Sequence, residues 1–156
     1  SYAYEIRSYD KDWNVNEGRT SPYTTDLLIS ELNNTEIKPR VVVEAKIKGV
    51  TTHDAITYSQ KATNHKSVHP YLRYGIMLGC MGTKPLQARL FRHGSNFDFM
   101  LNFKSFELSQ EELSMFAELL NQEIKISRAT EELLFESRSS IRKKYWALQK
   151  NLVFWE

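Results

Sequence analysis

Apolar residues fall into short dense runs over the first two thirds of the chain and into a helical repeat after that. Thr25 to Leu32, TDLLISEL, is a short apolar run bounded by turn signals, as expected of a strand buried in part on both faces. Asn33 to Pro39 is polar and makes a hairpin-like connection, with Pro39 suited to the start of a strand. Val41 to Ile47, VVVEAKI, is rich in β-branched residues and is the strongest strand candidate. Gly49 stops it, and Thr51 with Asp54 resembles a capping box with aspartate in place of glutamate. That predicts a helix from about Thr52 to about His65, before Ser67, His69 and Pro70. Tyr71 to Cys80 reads as a buried strand ended by Gly79 and Gly82, and ARLFRHGSNFDFMLNF predicts two strands around the turn His93-Gly94-Ser95-Asn96. Ser109 and Glu112 form an S-x-x-E capping box, and Leu113, Phe116, Ala117, Leu120 and Ile124 recur at helical spacing. A helix or helix pair, restarting near Thr130, is expected over the rest. Tyr2 to Arg7 alternates as a short strand, and residues 10 to 25 are polar and turn-rich. The order predicts a mixed α/β domain around one sheet.

Composition narrows the class without naming a function. The 156 residues suit one domain, 1–156, and 41% hydrophobic with 26% charged residues describes a globular chain. A net charge of +2 does not announce a nucleic-acid binder, so the distribution of charge matters more than its sum. One cysteine, Cys80, excludes an internal disulfide and fits a cytoplasmic setting. No signal peptide and no apolar run long enough for a bilayer is present, so no membrane role is expected. Strand-like alternation from Tyr2 onward suggests a processed end or a piece of a longer protein.

The valine-rich run also carries charge. Val41, Val43, Ala45 and Ile47 share one strand face, while Val42, Glu44, Lys46 and Lys48 share the other, which starts apolar and turns charged. Taken alone, Glu44 and Lys46 read as solvated neighbours on a half-exposed strand. Asp26 changes this reading. If the two apolar runs pair as an antiparallel hairpin, Asp26 comes opposite the Glu44 to Lys46 end, and two carboxylates converge. Hard cations such as Mg²⁺ take oxygen ligands and need only one or two carboxylates plus water and phosphate. A lysine beside them stabilises anionic charge or orients and deprotonates an attacking water.

Asp26, then Glu44-Ala45-Lys46 at the end of a valine-rich strand, then a helix and the strand YLRYGIML, resembles the core of the PD-(D/E)XK nuclease superfamily. The match spans about residues 20 to 80 and departs at Thr25, where that pattern has proline. The resemblance implies a restriction-endonuclease-like fold, a mixed central sheet flanked by helices with additional C-terminal helices. It implies that Asp26 and Glu44 ligate Mg²⁺ with the Ala45 carbonyl, and that Lys46 contacts the scissile phosphate or the water. Glu17, or alternatively Glu5, is the candidate for a further acidic ligand. Gln60 sits where some members place a glutamine or lysine on the following helix, although a surface glutamine is the commoner explanation.

The remaining constellations carry less. Among His53, His65, His69, His93 and Cys80, His65 and His69 have the i,i+4 spacing of a zinc pair, but HExxH is absent and Pro70 follows at once; no P-loop, nucleophile elbow or dinucleotide fingerprint occurs. Arg73, Arg89 and Arg92 on expected strands, and Arg142 and Lys143 on a late helix, are candidate nucleic-acid contacts against the ordinary reading of a solvated face. The expectation is a Mg²⁺-dependent endodeoxyribonuclease domain acting on double-stranded DNA, such as the cleavage domain of a restriction enzyme. A separate recognition domain and a homodimer, at least transient, accompany it. The alternatives are a structure-selective, junction-resolvase-like nuclease and a catalytically inactive nucleic-acid-binding module of the same fold.

Overall fold

The computed structural model describes residues 2–4, 8–9, 15–16, 21–33 and 36–136. Its centre is a four-stranded sheet whose strand order follows the chain. Strand β5 (Leu27–Asn33) runs antiparallel to β6 (Glu36–Ile47), while β7 (Arg73–Gly79) and β8 (Phe99–Asn102) run parallel to β6. Val41, Val42 and Val43 are all fully buried, which tells of helices on both faces of β6. Burial of each is worth about 1.5–3 kcal/mol.

Helix α1 (Thr52–Val68) and the short α2 (Ala88–His93) cover the face that carries Val42, Tyr74, Ile76 and Leu78. Helix α3 (Gln110–Glu136) covers the opposite face, where Phe116, Leu120 and Ile124 pack on Val41, Val43 and Leu101. Both capping boxes form. Thr51 and Asp54 exchange bonds at the start of α1, and Ser109 and Glu112 do so before α3. The buried stripe of α1 is Ala55, Ser59, Ala62 and His65, small or polar groups that make a narrow seat. Among the described residues, no helix is long and apolar enough to cross a membrane.

Four expectations need correction. Among the described residues, the N-terminal strands stand apart from the main sheet: β1 (Tyr2–Tyr4) pairs with β4 (Ser21–Tyr23), and β2 (Ser8–Tyr9) with β3 (Val15–Asn16), as separate two-stranded ribbons. The first arm expected around His93-Gly94 is helix α2, so Arg89 and Arg92 lie on a helix rather than on strands. Only Leu90 of α2 is buried, and one inward residue in six satisfies a surface turn of helix as readily as a strand. Helix α3 runs unbroken past Thr130, whose hydroxyl donates to the Ile126 carbonyl instead of capping a new start. Helix α1 continues past His65 to Val68.

Where Pro39 lacks an N–H, the β5–β6 ladder slips. Ile29 pairs with Val41 but Ser30 with Pro39, leaving Arg40 as the extra residue of a bulge. Its guanidinium is buried, with Glu31 at 2.6 Å and Glu131 of α3 at 2.7 Å. Lys38 joins Glu131 at 2.7 Å, and Arg128 pairs with Glu31. These pairs tie the hairpin to the last described helix.

Candidate active site

The hairpin register brings the first two carboxylates together. Leu27 stands opposite Val43, so Asp26, one residue earlier, comes level with Glu44. The Ala45 N–H donates to Asp26 Oδ2 at 2.8 Å, which closes the open end of the hairpin. Residues in a strand alternate, so Glu44 and Lys46 follow Val42 on the face beneath α1. Asp26 is close enough that its charge acts on both of them. Asp26, Glu44 and Lys46 are thus assembled on one face at one end of the sheet.

Their surroundings differ. Glu44 is only 2% exposed, Tyr74 Oη donates to its Oε1 at 2.5 Å, and Lys61 Nζ lies 3.7 Å from the same oxygen. Burial pushes the Glu44 carboxyl up. The Tyr74 bond and the Lys61 charge pull it down, Asp26 adds to the rise, and the outcome is above the ordinary carboxylate range. Burial, and then Glu44 itself, push the Tyr74 hydroxyl far up, so it remains a proton donor. The Tyr74 ring is held between His65, with centroids 5.4 Å apart, and Phe97 at 6.4 Å. Burial, then the charge of Lys61, bring His65 down to about 4, which leaves a neutral imidazole behind the site.

The two lysines share one aromatic ring. Lys46 Nζ is 4.5 Å and Lys61 Nζ 4.9 Å from the Tyr58 centroid. Contact with Tyr58 holds Lys46 above its ordinary range, with Asp54 and Asp26 adding to the effect against burial. Lys46 is therefore an ammonium at neutral pH, suited to donating a hydrogen bond or offsetting negative charge and poorly suited to removing a proton.

The other candidates separate from this cluster. Gln60 is exposed and donates to Asn64 Oδ1 at 3.1 Å on the outer side of α1, while the next residue, Lys61, takes the inward place. Arg73 is committed to Asp98 at 3.1 Å and Glu123 at 2.5 Å, so its charge serves the fold. Arg89 and Arg92 are exposed on α2, which carries none of the cluster's side chains. Glu17, Glu5, Arg142 and Lys143 lie outside the described residues. Lys61, Tyr74 and Tyr58 are site neighbours that the sequence reading missed. A phenol inside an apolar strand asks for a buried acceptor, and that was the available signal for Tyr74.

As a cation site, the cluster offers the carboxylate oxygens of Asp26 and Glu44. In an antiparallel ladder the N–H and C=O of one residue face the same neighbour, so the Ala45 carbonyl also turns to the Asp26 edge. This all-oxygen set fits Mg²⁺ rather than zinc. Among the described residues there is no group of three or more His, Cys, Asp or Glu side chains that could hold a metal, so water or substrate phosphate would have to complete the shell. No protein-family model matches the chain, and neither the curated proteins nor the solved structures contain a significant match.

Proposed function

We propose that this chain is a Mg²⁺-dependent endodeoxyribonuclease domain with a restriction-endonuclease-like core, hydrolysing phosphodiester bonds of double-stranded DNA. The observation that carries the reading is the placement of Asp26 beside Glu44, with Lys46 next along the same face of a rigid strand. Asp26 and Glu44 would hold the cation, together with the Ala45 carbonyl. When bound, Mg²⁺ supplies Lewis-acid activation of the phosphoryl group. Lys46, as an ammonium, orients the attacking water by donating to it and offsets the charge that develops on the phosphate. Tyr74 and Lys61 act behind Glu44, fixing its carboxylate and balancing its burial.

Nicking of supercoiled plasmid with Mg²⁺ against EDTA tests the proposal, for wild type and for Asp26→Ala, Glu44→Ala and Lys46→Ala. Each substitution should reduce cutting by about 100-fold or more. Cutting that survives all three would remove the site assignment. A second reading, a non-catalytic nucleic-acid-binding module, draws on the Lys61–Glu44 pair, which balances the buried carboxylate without any metal. It expects DNA binding that is indifferent to EDTA and no cleavage with any divalent ion. A panel of linear duplex, four-way junction and flap DNA separates a restriction-type enzyme from a structure-selective one.

A further inference from the structure

A second feature lies at the first turn of α1. Beyond the carboxyl ends of β6 and β8, where open α/β sheets place their ligands, a groove of about 610 Å³ opens between α2 and the first turn of α1. Lys84, Arg89 and Arg92 line it with Thr52, Gln87 and His93, and no described lining residue is Asp or Glu.

The groove is a built feature. Gln87 Oε1 accepts the Val50 N–H at 2.8 Å, and Arg89 Nη1 donates to the Val50 carbonyl at 3.1 Å. Asn102 at the end of β8 donates to the Lys84 carbonyl at 2.7 Å. The segment leading into α2 is therefore pinned to the ends of two strands. At Gly49, with φ of 113°, a Cβ would stand 2.5 Å from Gln87 Nε2, so this approach depends on glycine.

Arg89 and Arg92 are one helical turn apart on α2, and Lys84 precedes them on the pinned segment, all three exposed. Three exposed cations along one open groove suit the repeated phosphates of a chain better than a single anion. No described lining residue is Phe, Tyr or Trp, so the groove offers cations for phosphates rather than a platform of large rings for bases. We propose that this groove holds the sugar-phosphate backbone of a DNA strand without regard to sequence, with Lys84, Arg89 and Arg92 as its contacts. It rests on the nuclease reading for its choice of polyanion, and it would keep the duplex on the enzyme while the carboxylate site acts.

The test is fluorescence anisotropy of a short labelled duplex in EDTA, where no cutting occurs, over a salt series. It compares wild type, Lys84→Gln/Arg92→Gln and the charge-keeping Lys84→Arg/Arg92→Lys. Arg89 is left intact because its bond to Val50 supports the fold. The neutral double variant should weaken binding about tenfold at low salt, equally for unrelated sequences, and lower the log–log salt slope by about 2. The charge-keeping variant should restore both. A neutral variant that binds like wild type overturns the proposal, and so does inorganic pyrophosphate displacing the duplex at micromolar concentration, which would mark a small-anion site. Binding lost in the neutral variant while wild type fails to cut plasmid would sustain the groove and sink only the nuclease reading.

Discussion

At the scale of single residues, Glu44 is held where a carboxylate is costly. It is buried, its protonation is favoured by its surroundings, and Tyr74 and Lys61 compensate only in part. Glu44→Gln keeps an acceptor for the Tyr74 hydroxyl and removes the charge. It should raise the melting temperature by about 2–4 °C while abolishing cutting, a trade expected of functional groups. A melting temperature that falls would show that Glu44 stabilises the fold. Tyr74→Phe should weaken Mg²⁺ binding about 10- to 100-fold by loosening a ligand's support. Calorimetric Mg²⁺ titration of the variant measures this, and unchanged affinity would remove Tyr74 from the site. The convergence of Asp26 and Glu44 was legible because the hairpin register follows from two apolar runs and the turn between them. The choice between Gln60 and Lys61 was not, since it depends on how α1 is rotated over the sheet. Helix α1 has no large apolar stripe to announce that rotation, its buried residues being Ala55, Ser59, Ala62 and His65.

At the scale of elements, β6 and α1 carried the clearest local signals, a β-branched run and a capping box, and both are in place. Removing the cap with Thr51→Ala should cost about 1 kcal/mol, read from urea denaturation. An unaltered midpoint would mean that Asp54 alone holds the helix start. Strands β7 and β8 depend on a glycine for a reason that no sequence pattern reveals. Gly75 pairs with Phe99, and a Cβ on Gly75 would stand 2.1 Å from the Phe99 ring. Gly75→Ala should therefore destabilise by about 1–3 kcal/mol through overpacking. Pairing it with Phe99→Leu in a double-mutant cycle should recover part of the loss, and strictly additive losses would contradict the clash. The short segment Ala88–His93 misled because six residues with one inward contact carry too little periodicity to separate helix from strand.

At the scale of the whole molecule, stability should fall with acid in two stages. The first comes from His65, whose folded value, about 4, lies below its ordinary 6.5. A group depressed in this way contributes stability above its unfolded value and loses it as pH falls toward the folded one. The expected loss from His65 is about 2 kcal/mol between pH 6.5 and pH 5, read from urea midpoints. If the midpoint is flat over that range, His65 is not a buried neutral group. The second stage belongs to the hairpin–helix ion pairs. Burial opposes the shift at Glu131, but bonds from Lys38 and Arg40 still hold its carboxyl low, and the Arg40 bond does the same at Glu31. Their contribution persists above the ordinary glutamate range and disappears as these groups protonate below it. Helices flanking a mixed sheet were an expectation of the family resemblance, and the three successive buried valines on β6 are what such layers require. The detachment of the N-terminal ribbons from the main sheet could not be inferred, because alternation marks a strand without naming its partner.

The same ion pairs bear on the order in which the protein is made. Lys38 reaches Glu131 across 93 positions of chain, and Arg128 reaches Glu31 across 97. On the ribosome, the hairpin that carries Asp26 and Glu44 emerges long before α3, and until then Val41 and Val43 have no cover on that face. A nascent chain holding every proposed catalytic residue would still lack the packing of α3 on one face of β6. The proposed cutting would then require the last described helix, as a property of the finished fold.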